Sequence, residues 1–281
     1  MTLTPVIIST VAALRQATGA FRRAGETIAL VPTMGALHEG HLDLVRLAKS
    51  RSSRAVVSIF VNPAQFAPHE DFDRYPRAIP TDAEKLASVA TDLIWAPSAA
   101  EMYPAGFATR ILPSGAANGL ESDFRPHFFG GVATVCCKLF TQVAPDIAIF
   151  GEKDYQQLAV IRQLVRDLNL PLDIVGAPTR RDAEGLALSS RNAYLTPQER
   201  AIAPALHKAL QTCAAAIRAG SSPQDASATA RTTILSAGFS KADYFEARDA
   251  LTLAAPSPNA PLRLLVAAWL GKTRLIDNIG V

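Results

Sequence analysis

The sequence contains few charged and few aromatic residues. Charged residues make up 19% of the 281 positions and aromatic residues 7%, while hydrophobic residues reach 49%. So apolar a composition excludes a disordered chain, whose charged fraction would be higher. The net charge is only +3, from 28 Lys and Arg against 25 Asp and Glu. This charge is too small for a protein that neutralises many phosphates, so we expect no nucleic-acid partner.

Long apolar runs are also missing, and cysteine is rare. The longest apolar candidate, around Arg263–Leu270, is far shorter than the ~18 residues of a membrane-spanning helix. The first residues lack the positively charged start of a secretory signal. Three cysteines, of which Cys136 and Cys137 are adjacent, give neither a disulfide framework nor a zinc site of usual spacing. We therefore expect a soluble cytoplasmic protein without a membrane partner, with these two cysteines and Cys213 as small core residues.

Short apolar runs alternate with helix-length amphipathic stretches through the first two thirds of the chain. Runs rich in apolar and β-branched residues predict five strands, over Thr27–Val31, Arg54–Val61, Asp92–Ala96, Ile147–Phe150 and Leu172–Val175. Such continuous runs are typical of parallel strands covered on both faces. Helical spacing of apolar residues predicts helices over Gly131–Val143 and Gln157–Leu168. The fold class predicted for this part is α/β with a parallel sheet.

After Gly185 the predicted elements are grouped and no longer alternate. Thr196 and Glu199 form a capping-box pair, and Pro197 stands at the first helical position. The predicted elements are a long helix from Thr196 to near Gly220, a helix from Ser222 to Gly238, and strands over Asp243–Ala247 and Arg263–Trp269. We therefore predict a smaller α+β domain over residues 185–281, after a first domain over residues 1–184.

Two histidines lie where a buried strand is followed by a Gly-bearing loop and an amphipathic helix. His38 and His41 stand at the predicted loop–helix junction. Residues three apart at a helix start point to one side, and the N–H groups and positive dipole end there attract phosphate. Either imidazole could donate a hydrogen bond or transfer a proton. An anion site is favoured over a pair of core or surface histidines.

Two further segments carry chemistry suited to phosphate. Gly151–Asp154 follows a predicted strand, outside the carboxyl end where open α/β sheets bind ligands. Lys153 would neutralise phosphate charge there. Ser189, Ser190 and Arg191 supply hydroxyl donors and a guanidinium that binds phosphate oxygens in a bidentate manner. Without context, the first segment would be a solvated turn and the second a loop.

The His-x-Gly-His motif resembles the signature of the nucleotidyltransferase superfamily. Its flanking sequence, Pro32–His41, is similar to the ATP-site signature of the pantothenate synthetase family, the pantoate–β-alanine ligases. Further segments match that family in order and at compatible spacing: Val57–Phe66, Tyr75–Arg77, Phe150–Gln157, Gly185–Asn192 and Thr273–Asn278. The resemblance covers nearly the whole chain. It implies a Rossmann-like nucleotidyltransferase domain that binds ATP and pantoate over residues 1–184, and a lid domain over residues 185–281.

The resemblance implies a ligation in two steps. Pantoate first attacks the α-phosphate of ATP, giving pantoyl adenylate and pyrophosphate, and β-alanine then attacks the acyl carbon, releasing pantothenate and AMP. The family resemblance further implies Mg²⁺ with the ATP and a homodimer built through the first domain. No protein residue is predicted as a metal ligand.

The family's site residues are carried over position by position. His38, His41, Lys153 and Arg191 match the catalytic set, with His41 as the proton donor. The implied ATP-binding residues are Met34, Gly35, Ala36, Leu37, His38, Glu39, Gly40, His41, Gly151, Glu152, Lys153, Asp154, Arg180, Leu188, Ser189, Ser190 and Arg191. Gln65 and Gln157 match the two glutamines that bind pantoate, with Asn62 and Tyr75 in the same pocket.

Some positions depart from the family pattern. Arg180 stands where relatives commonly carry valine, so we expect its long side chain to turn outward. Leu188 replaces a frequent methionine, a volume-conserving change of little consequence. Many relatives have the His-Phe pair one position later than His127 and Phe128, and both residues stay outside the predicted site.

Two other functions compete with the ligase. One is a nucleotidyltransferase that acts on another small acid or phosphate, against which Gln65 and Gln157 argue because they should serve pantoate. The other is a nucleotide-sensing or nucleic-acid-associated protein without catalysis. His41, Lys153 and the Ser189–Arg191 segment argue against it, as does the small net charge.

Overall fold

The computed structural model describes residues 4–67, 70 and 72–281. The chain divides into two compact units. The first unit comprises Met1–Ser114, Arg125–Glu152 and Val160–Pro178, and the second comprises Gly115–Phe124, Lys153–Ala159 and Thr179–Val281.

The helices and strands follow one another in a mixed order. They are β1 (Val6–Ile8), α1 (Val11–Arg23), β2 (Ile28–Thr33), α2 (Glu39–Arg51), β3 (Arg54–Ile59), α3 (Ile79–Ala87), β4 (Leu93–Trp95), α4 (Ala99–Met102), α5 (Glu121–Phe124), α6 (Phe128–Val143), β5 (Ile147–Gly151), α7 (Tyr155–Asp167), β6 (Asp173–Ala177), α8 (Pro197–Ile202), α9 (Ala205–Arg218), α10 (Pro223–Ser236), β7 (Lys241–Asp249), β8 (Leu262–Leu270) and β9 (Thr273–Gly280). Short 3₁₀ turns connect several of them.

The first unit contains a parallel sheet of six strands in the order β1-β4-β3-β2-β5-β6. Ile28, Leu30 and Trp95 in its strands are 0% exposed, which agrees with strands covered on both faces. Chain order runs outward from β2 to β4 and then returns to β5 on the other side of β2. The carboxyl ends of β2 and β5 therefore flank the switch point, where open α/β sheets bind ligands.

The second unit contains the antiparallel sheet β7-β8-β9 with α9 and α10 packed near it. Its core gathers Leu210, Ile234 and Val266, each at most 1% exposed. An α/β parallel sheet together with a smaller α+β part confirms the predicted fold class. All five predicted strands of the first part are present as β2 to β6, and the two of the second part are β7 and β8.

Three predictions of local structure were wrong or incomplete. The predicted helix from Thr196 to near Gly220 is two helices, α8 and α9, because Pro204 has no N–H to continue the hydrogen-bond ladder. The start of this segment is as predicted, since Thr196 and Glu199 form a reciprocal capping box. β1 was missed because it is a three-residue strand whose Val6 is 61% exposed. β9 was quoted as a motif but not predicted as a strand.

The cysteines occupy the interior, as expected, with one difference. Cys136 and Cys213 are buried, whereas Cys137 is half-buried. Burial raises the pKa of the Cys136 thiol to about 12. That thiol therefore stays protonated near neutral pH and contributes to packing.

Candidate active site

The loop that leaves β2 is held by a carboxylate from α3. Asp82 is 2% exposed, and it accepts hydrogen bonds from the N–H of Ala36 at 3.0 Å and of Leu37 at 2.9 Å. Lys85, one turn further along α3, donates to the carbonyl of Leu37 at 2.7 Å. Asp82 and Lys85 were missed by sequence reasoning, since only packing brings α3 against this loop. The local signal for Asp82 was that of an acidic residue in the first turn of a helix.

The backbone of this loop is left-handed at two consecutive residues. Gly35 has φ of 84° and Ala36 has φ of 51°. A Cβ on Gly35 would lie 3.1 Å from Asp82 Oδ2 and 3.2 Å from Ile59 Cγ2. Only glycine meets both the φ angle and the close approach. Ala36 tolerates its left-handed conformation because Asp82 fixes its N–H.

His38 and His41 form the first turn of α2. His38 is the N-cap residue, and its Nδ1 accepts from the N–H of Gly40 at 3.1 Å. His41 Nδ1 accepts from the N–H of His38 at 3.3 Å, so the pair makes a capping box from two imidazoles. A ring nitrogen that accepts a hydrogen bond carries no proton, so the neutral form of each ring has its proton on Nε2.

The two imidazoles lie together at the positive end of a helix. Their ring centroids are 4.1 Å apart, as the spacing of three residues at a helix start predicted. Glu39, between them, directs its carboxylate at Arg46 along the exposed face of α2. Two Nε2–H donors beside helix N–H groups and the positive dipole end suit a phosphate ligand.

Gln65, a predicted pantoate residue of the first unit, contacts this loop, and Asn62 is hydrogen-bonded to Gln65. Gln65 is 8% exposed and Asn62 1% exposed. Gln65 Nε2 is 3.1 Å from Met34 Sδ, so Met34 and Gln65 are in contact. Tyr75 is 5% exposed, with its ring 6.1 Å from that of Phe66. Gly151 and Glu152 lie at the end of β5, next to β2 in the sheet.

Arg125 is a further residue that sequence reasoning did not identify. Its guanidinium donates to the carbonyl of Gln65 at 3.1 Å and pairs with Glu70 at 2.6 Å. The same group lies 4.0 Å from the centroid of the Phe128 ring. The neighbouring His127 occupies the N-cap position of α6 without a side-chain cap. Arg125 therefore supports the backbone that carries Gln65.

In the second unit, Lys153 and Asp154 belong to the 3₁₀ turn that follows β5. The Lys153 side chain is 19% exposed and the Asp154 side chain 48% exposed. Lys153 Nζ lies 4.0 Å from Asp154 Oδ2. The backbone carbonyl of Lys153 accepts from Asn278 Nδ2 at 2.8 Å. Strand β9, which carries Asn278, thus fixes the turn that bears Lys153.

Adjacent glutamines at the start of α7 have different surroundings. Gln156 is 5% exposed; its amide accepts from the N–H of Glu121 and donates to the carbonyls of Ala116 and Gly119, each at 3.1 Å. Gln157 is half-buried. Gln156 therefore uses its amide within the fold, and Gln157 stays the predicted pantoate ligand.

The segment that carries Ser189, Ser190 and Arg191 is also attached to β9. The Arg181 guanidinium donates two hydrogen bonds to Asp277, of 2.7 and 2.8 Å. The backbone of Arg181 forms an antiparallel β-bridge with that of Ala187. Ser189 caps the 3₁₀ turn that begins at Ser190, because its Oγ accepts from the N–H of Arg191 at 3.3 Å. Both segments suited to phosphate in this unit, at Lys153 and at Ser189, are thus held by the Asp277–Asn278 step of β9.

The two family departures in this segment have different exposures. Arg180 is exposed, as expected for a cation in place of valine, and Leu188 is half-buried. The N–H of Leu188 donates to the carbonyl of Arg180 at 2.9 Å. The two positions therefore face each other across a short backbone hairpin.

Neither a metal cluster nor a membrane-spanning helix is found in the described parts of the chain. Within residues 4–67, 70 and 72–281, no group of three or more His, Cys, Asp or Glu side chains is placed to hold a metal ion. No helix in the same residues combines the length and the apolar character needed to cross a bilayer.

A parallel sheet with a histidine-capped helix after a central strand is the arrangement of a Rossmann-like phosphate-binding enzyme. A family model described as Pantoate-beta-alanine ligase matches residues 6–280. A pantothenate synthetase of Mesorhizobium japonicum is 58% identical over 277 residues, covering 99% of this chain and 98% of the relative. The chain therefore belongs to the pantoate–β-alanine ligase family. The predicted family, and with it the predicted pantothenate-forming ligase activity, is confirmed.

Solved structures agree with this family. The pantothenate synthetase of Thermus thermophilus has a TM-score of 0.91 and 44% identity, covering 97% of this chain and 98% of its own. A pantoate–β-alanine ligase from Francisella tularensis, complexed with β-γ ATP and β-alanine, has a TM-score of 0.84 and 35% identity, covering 98% and 97%. The predicted fold is thus found in enzymes of the same family.

Proposed function

We propose that the chain condenses pantoate with β-alanine at the expense of ATP, through a pantoyl-adenylate intermediate. The observation that carries this proposal is the imidazole pair of His38 and His41 at the start of α2. A carboxylate is a poor acyl donor, and adenylation converts its oxygen into part of a good leaving group. Catalysis then consists mainly of positioning and of stabilising charge around the phosphates.

The first step is the attack of a pantoate carboxylate oxygen on the α-phosphate of ATP, with pyrophosphate leaving. His38 and His41 donate hydrogen bonds from Nε2–H to triphosphate oxygens, and the Nε2–H of His41 stabilises the charge on the departing pyrophosphate. The loop Met34–Leu37, which Asp82 holds in place, lines the nucleotide together with Glu39 and Gly40. Gly151 and Glu152, at the end of β5, belong to the same nucleotide site.

Further cations and hydroxyls of the chain suit the phosphates. Lys153 and Arg191 neutralise phosphate charge, and Ser189 and Ser190 donate hydroxyl hydrogen bonds. Asp154 accepts hydrogen bonds from the ribose. The backbone of Arg180 and the side chain of Leu188 serve the nucleotide base, which agrees with an Arg180 side chain turned to solvent.

Pantoate is bound through amide side chains. Gln65 and Gln157 each offer a donor and an acceptor, which suit a hydroxy acid. Tyr75 belongs to the same pocket. In the second step, the amine of β-alanine attacks the acyl carbon of the adenylate, the amide bond forms and AMP leaves.

Magnesium accompanies the nucleotide in this proposal. Imidazole, ammonium, guanidinium and hydroxyl donors suit phosphate oxygens, and Mg²⁺ is usually held through substrate phosphates with only one or two carboxylates. The residues therefore fit a cation that arrives with the triphosphate, where it would neutralise charge on the leaving pyrophosphate. We further propose that the chain is cytoplasmic and forms a homodimer. Light scattering of the purified chain would measure its mass and so test the homodimer.

Isotope exchange between pyrophosphate and ATP tests the activity. We expect exchange to require pantoate and Mg²⁺ but not β-alanine, since adenylation precedes amide formation. Mass spectrometry of a mixture with β-alanine should then show pantothenate and AMP in equal amounts. Exchange supported by other small acids but not by pantoate would contradict the proposed substrate.

A further inference from the structure

Asn62 uses all of its hydrogen-bonding capacity within the protein. Its Oδ1 accepts from the Tyr103 hydroxyl at 2.8 Å and from the N–H of Ala64 at 3.3 Å. Its Nδ2 donates to the carbonyl of Gly131 and to Gln65 Oε1, both at 3.1 Å. A primary amide has two donors and two acceptor lone pairs. Asn62, which is 1% exposed, therefore has no group left for a substrate.

The orientation of the Asn62 amide is determined by backbone groups. The N–H of Ala64 can only donate, so the atom of Asn62 that faces it must be the oxygen. The carbonyl of Gly131 can only accept, so the atom that faces it must be the nitrogen. Reversing the amide would leave both backbone groups opposed to like partners, at a cost of two hydrogen bonds in a buried site.

This orientation fixes the polarity of Gln65. Because Asn62 presents an N–H to Gln65, the Gln65 atom in that contact must be Oε1. Nε2 then lies on the other side of the amide, 3.1 Å from Met34 Sδ. A thioether is a weak acceptor, so the Nε2 donors remain able to bind a stronger one. An anionic oxygen is such an acceptor.

We infer that Asn62 is a positioning residue that acts on pantoate only through Gln65, and that it holds the donor end of Gln65 toward a pantoate oxygen. The inference rests on the proposed function and changes the role expected for Asn62, from a substrate contact to the support of one. A donor end in this position suits the carboxylate form of the acid, because a reversed Gln65 would oppose a carbonyl oxygen to an anion.

A double-mutant cycle on the full-length chain tests this role. The Michaelis constants for pantoate and for ATP are measured by pantoate-dependent pyrophosphate exchange in the wild type, Asn62→Ala, Gln65→Ala and the double variant. We expect each single variant to raise the constant for pantoate about tenfold, the size of one lost charged hydrogen bond, with the constant for ATP little changed. The double variant should match Gln65→Ala, since Asn62 acts through Gln65.

The outcomes separate the inference from the function on which it rests. If the losses of the two single variants multiply in the double variant, Asn62 contacts pantoate itself and the inference is overturned. If the wild type shows no pantoate-dependent exchange, the proposed function fails first. Thr134→Val is the matched control. The Thr134 hydroxyl, on α6, accepts a hydrogen bond from the N–H of Ile111 and donates one to the carbonyl of Gly130. The control variant should lower the melting temperature without changing the constant for pantoate.

A second variant keeps the test decisive if Asn62→Ala does not fold. Gln65→Glu retains an acceptor for Asn62 Nδ2 but replaces the donor end by an oxygen. We expect it to weaken pantoate binding more than Gln65→Ala does. If Gln65→Glu instead binds pantoate as well as Gln65→Ala or better, the acceptor end of Gln65 faces the substrate and the inference is wrong.

Discussion

At the scale of the residue, His41 combines a structural and a chemical function on two ring nitrogens. Nδ1 caps the N–H of His38, and the neutral ring carries its proton on Nε2. The structural function alone requires only an acceptor, which a shorter amide side chain also provides. The two functions are therefore separable by substitution.

We predict that His41→Ala and His41→Asn each cost about 3 kcal/mol of transition-state stabilisation, the scale of losing one preorganised donor. Only the alanine variant should also lose thermal stability, because asparagine still accepts from the N–H of His38. Steady-state kcat/KM and melting temperature measure the two effects. Near-wild-type turnover of His41→Asn would contradict a chemical role for Nε2.

We expect Lys153→Ala to cost about as much transition-state stabilisation as His41→Ala, because it removes a cation beside the phosphates. Near-wild-type turnover of Lys153→Ala would contradict a role for the Lys153 ammonium.

Asp82 contributes to stability and to the nucleotide site through its contact with the loop between β2 and α2. Both carboxylate oxygens are engaged by N–H groups of the loop before α2. Asp82→Asn replaces one acceptor by a donor that faces an N–H. We predict a loss of about 2 kcal/mol in the free energy of unfolding and a raised Michaelis constant for ATP.

Glu84→Gln provides the control for Asp82, since Glu84 is an exposed acid on the same helix. Chemical denaturation and ATP titration of both variants make the comparison. If the control changes the Michaelis constant for ATP as much as Asp82→Asn does, the effect comes from net charge and not from the loop.

At the scale of the element, helix α6 approaches the turn that carries Asn62 and Gln65 at one glycine. A Cβ on Gly131 would lie 2.3 Å from the carbonyl oxygen of Ala64, which is a backbone atom and cannot turn away. The neighbouring Gly130 would meet Leu112 Cδ2 at 3.2 Å, and Leu112 is 82% exposed and free to move. The backbone contact therefore requires glycine at position 131, whereas an added Cβ at position 130 would meet a side chain that can move.

We predict that Gly131→Ala lowers the free energy of unfolding by about 2 kcal/mol, because it overpacks a backbone contact. Gly130→Ala should change it by less than about 1 kcal/mol, since the gain in helix propensity offsets a small side-chain shift. Urea denaturation of the two variants tests the pair. Equal destabilisation would show that α6 does not need the close approach at Gly131.

At the scale of the whole molecule, acid stability depends on carboxylates that are paired inside the fold. Burial by itself raises the pKa of the Asp277 carboxyl, but the nearby His207, with Nδ1 3.6 Å from Oδ2, and the paired Arg181 guanidinium outweigh it, and the pKa lies below its ordinary value of 3.8. A depressed pKa contributes stability above the unfolded value, and that stability is lost as the pH falls through the folded value.

We predict that Asp277→Asn destabilises the chain by about 3 kcal/mol near neutral pH, because Arg181 is left without its buried partner. The difference from the wild type should narrow as the pH falls below the ordinary value of 3.8 and through the lower pKa of the folded Asp277 carboxyl, where the wild type also loses this charge. Thermal unfolding across this pH range measures both quantities.

Asp167→Asn is the matched control for Asp277→Asn, since Asp167 pairs with Arg166 at the surface, where the two side chains are 48% and 74% exposed. It should change stability by less than about 1 kcal/mol at every pH. A difference between wild type and Asp277→Asn that stayed constant with pH would contradict a titrating role for Asp277.

Much of the fold was predictable because its signals are local. Continuous apolar runs such as Ile147–Phe150 are typical of covered strands, and the capping pair of Thr196 and Glu199 marks a helix start. The errors were also local in origin. The three residues of β1 carry no periodic pattern, and Pro204 divides a segment whose alanines otherwise favour one helix.

The sequence by itself determined the α/β pattern, the position of His38 and His41 at a helix start, and the family, because these depend on spacing along the chain. Only the tertiary structure decided which side chains hold the site. Asp82 reaches Ala36 from 46 residues away, and Asn62 meets Gly131 from 69 residues away. Such contacts follow from how helices pack on the sheet, and no local pattern encodes them.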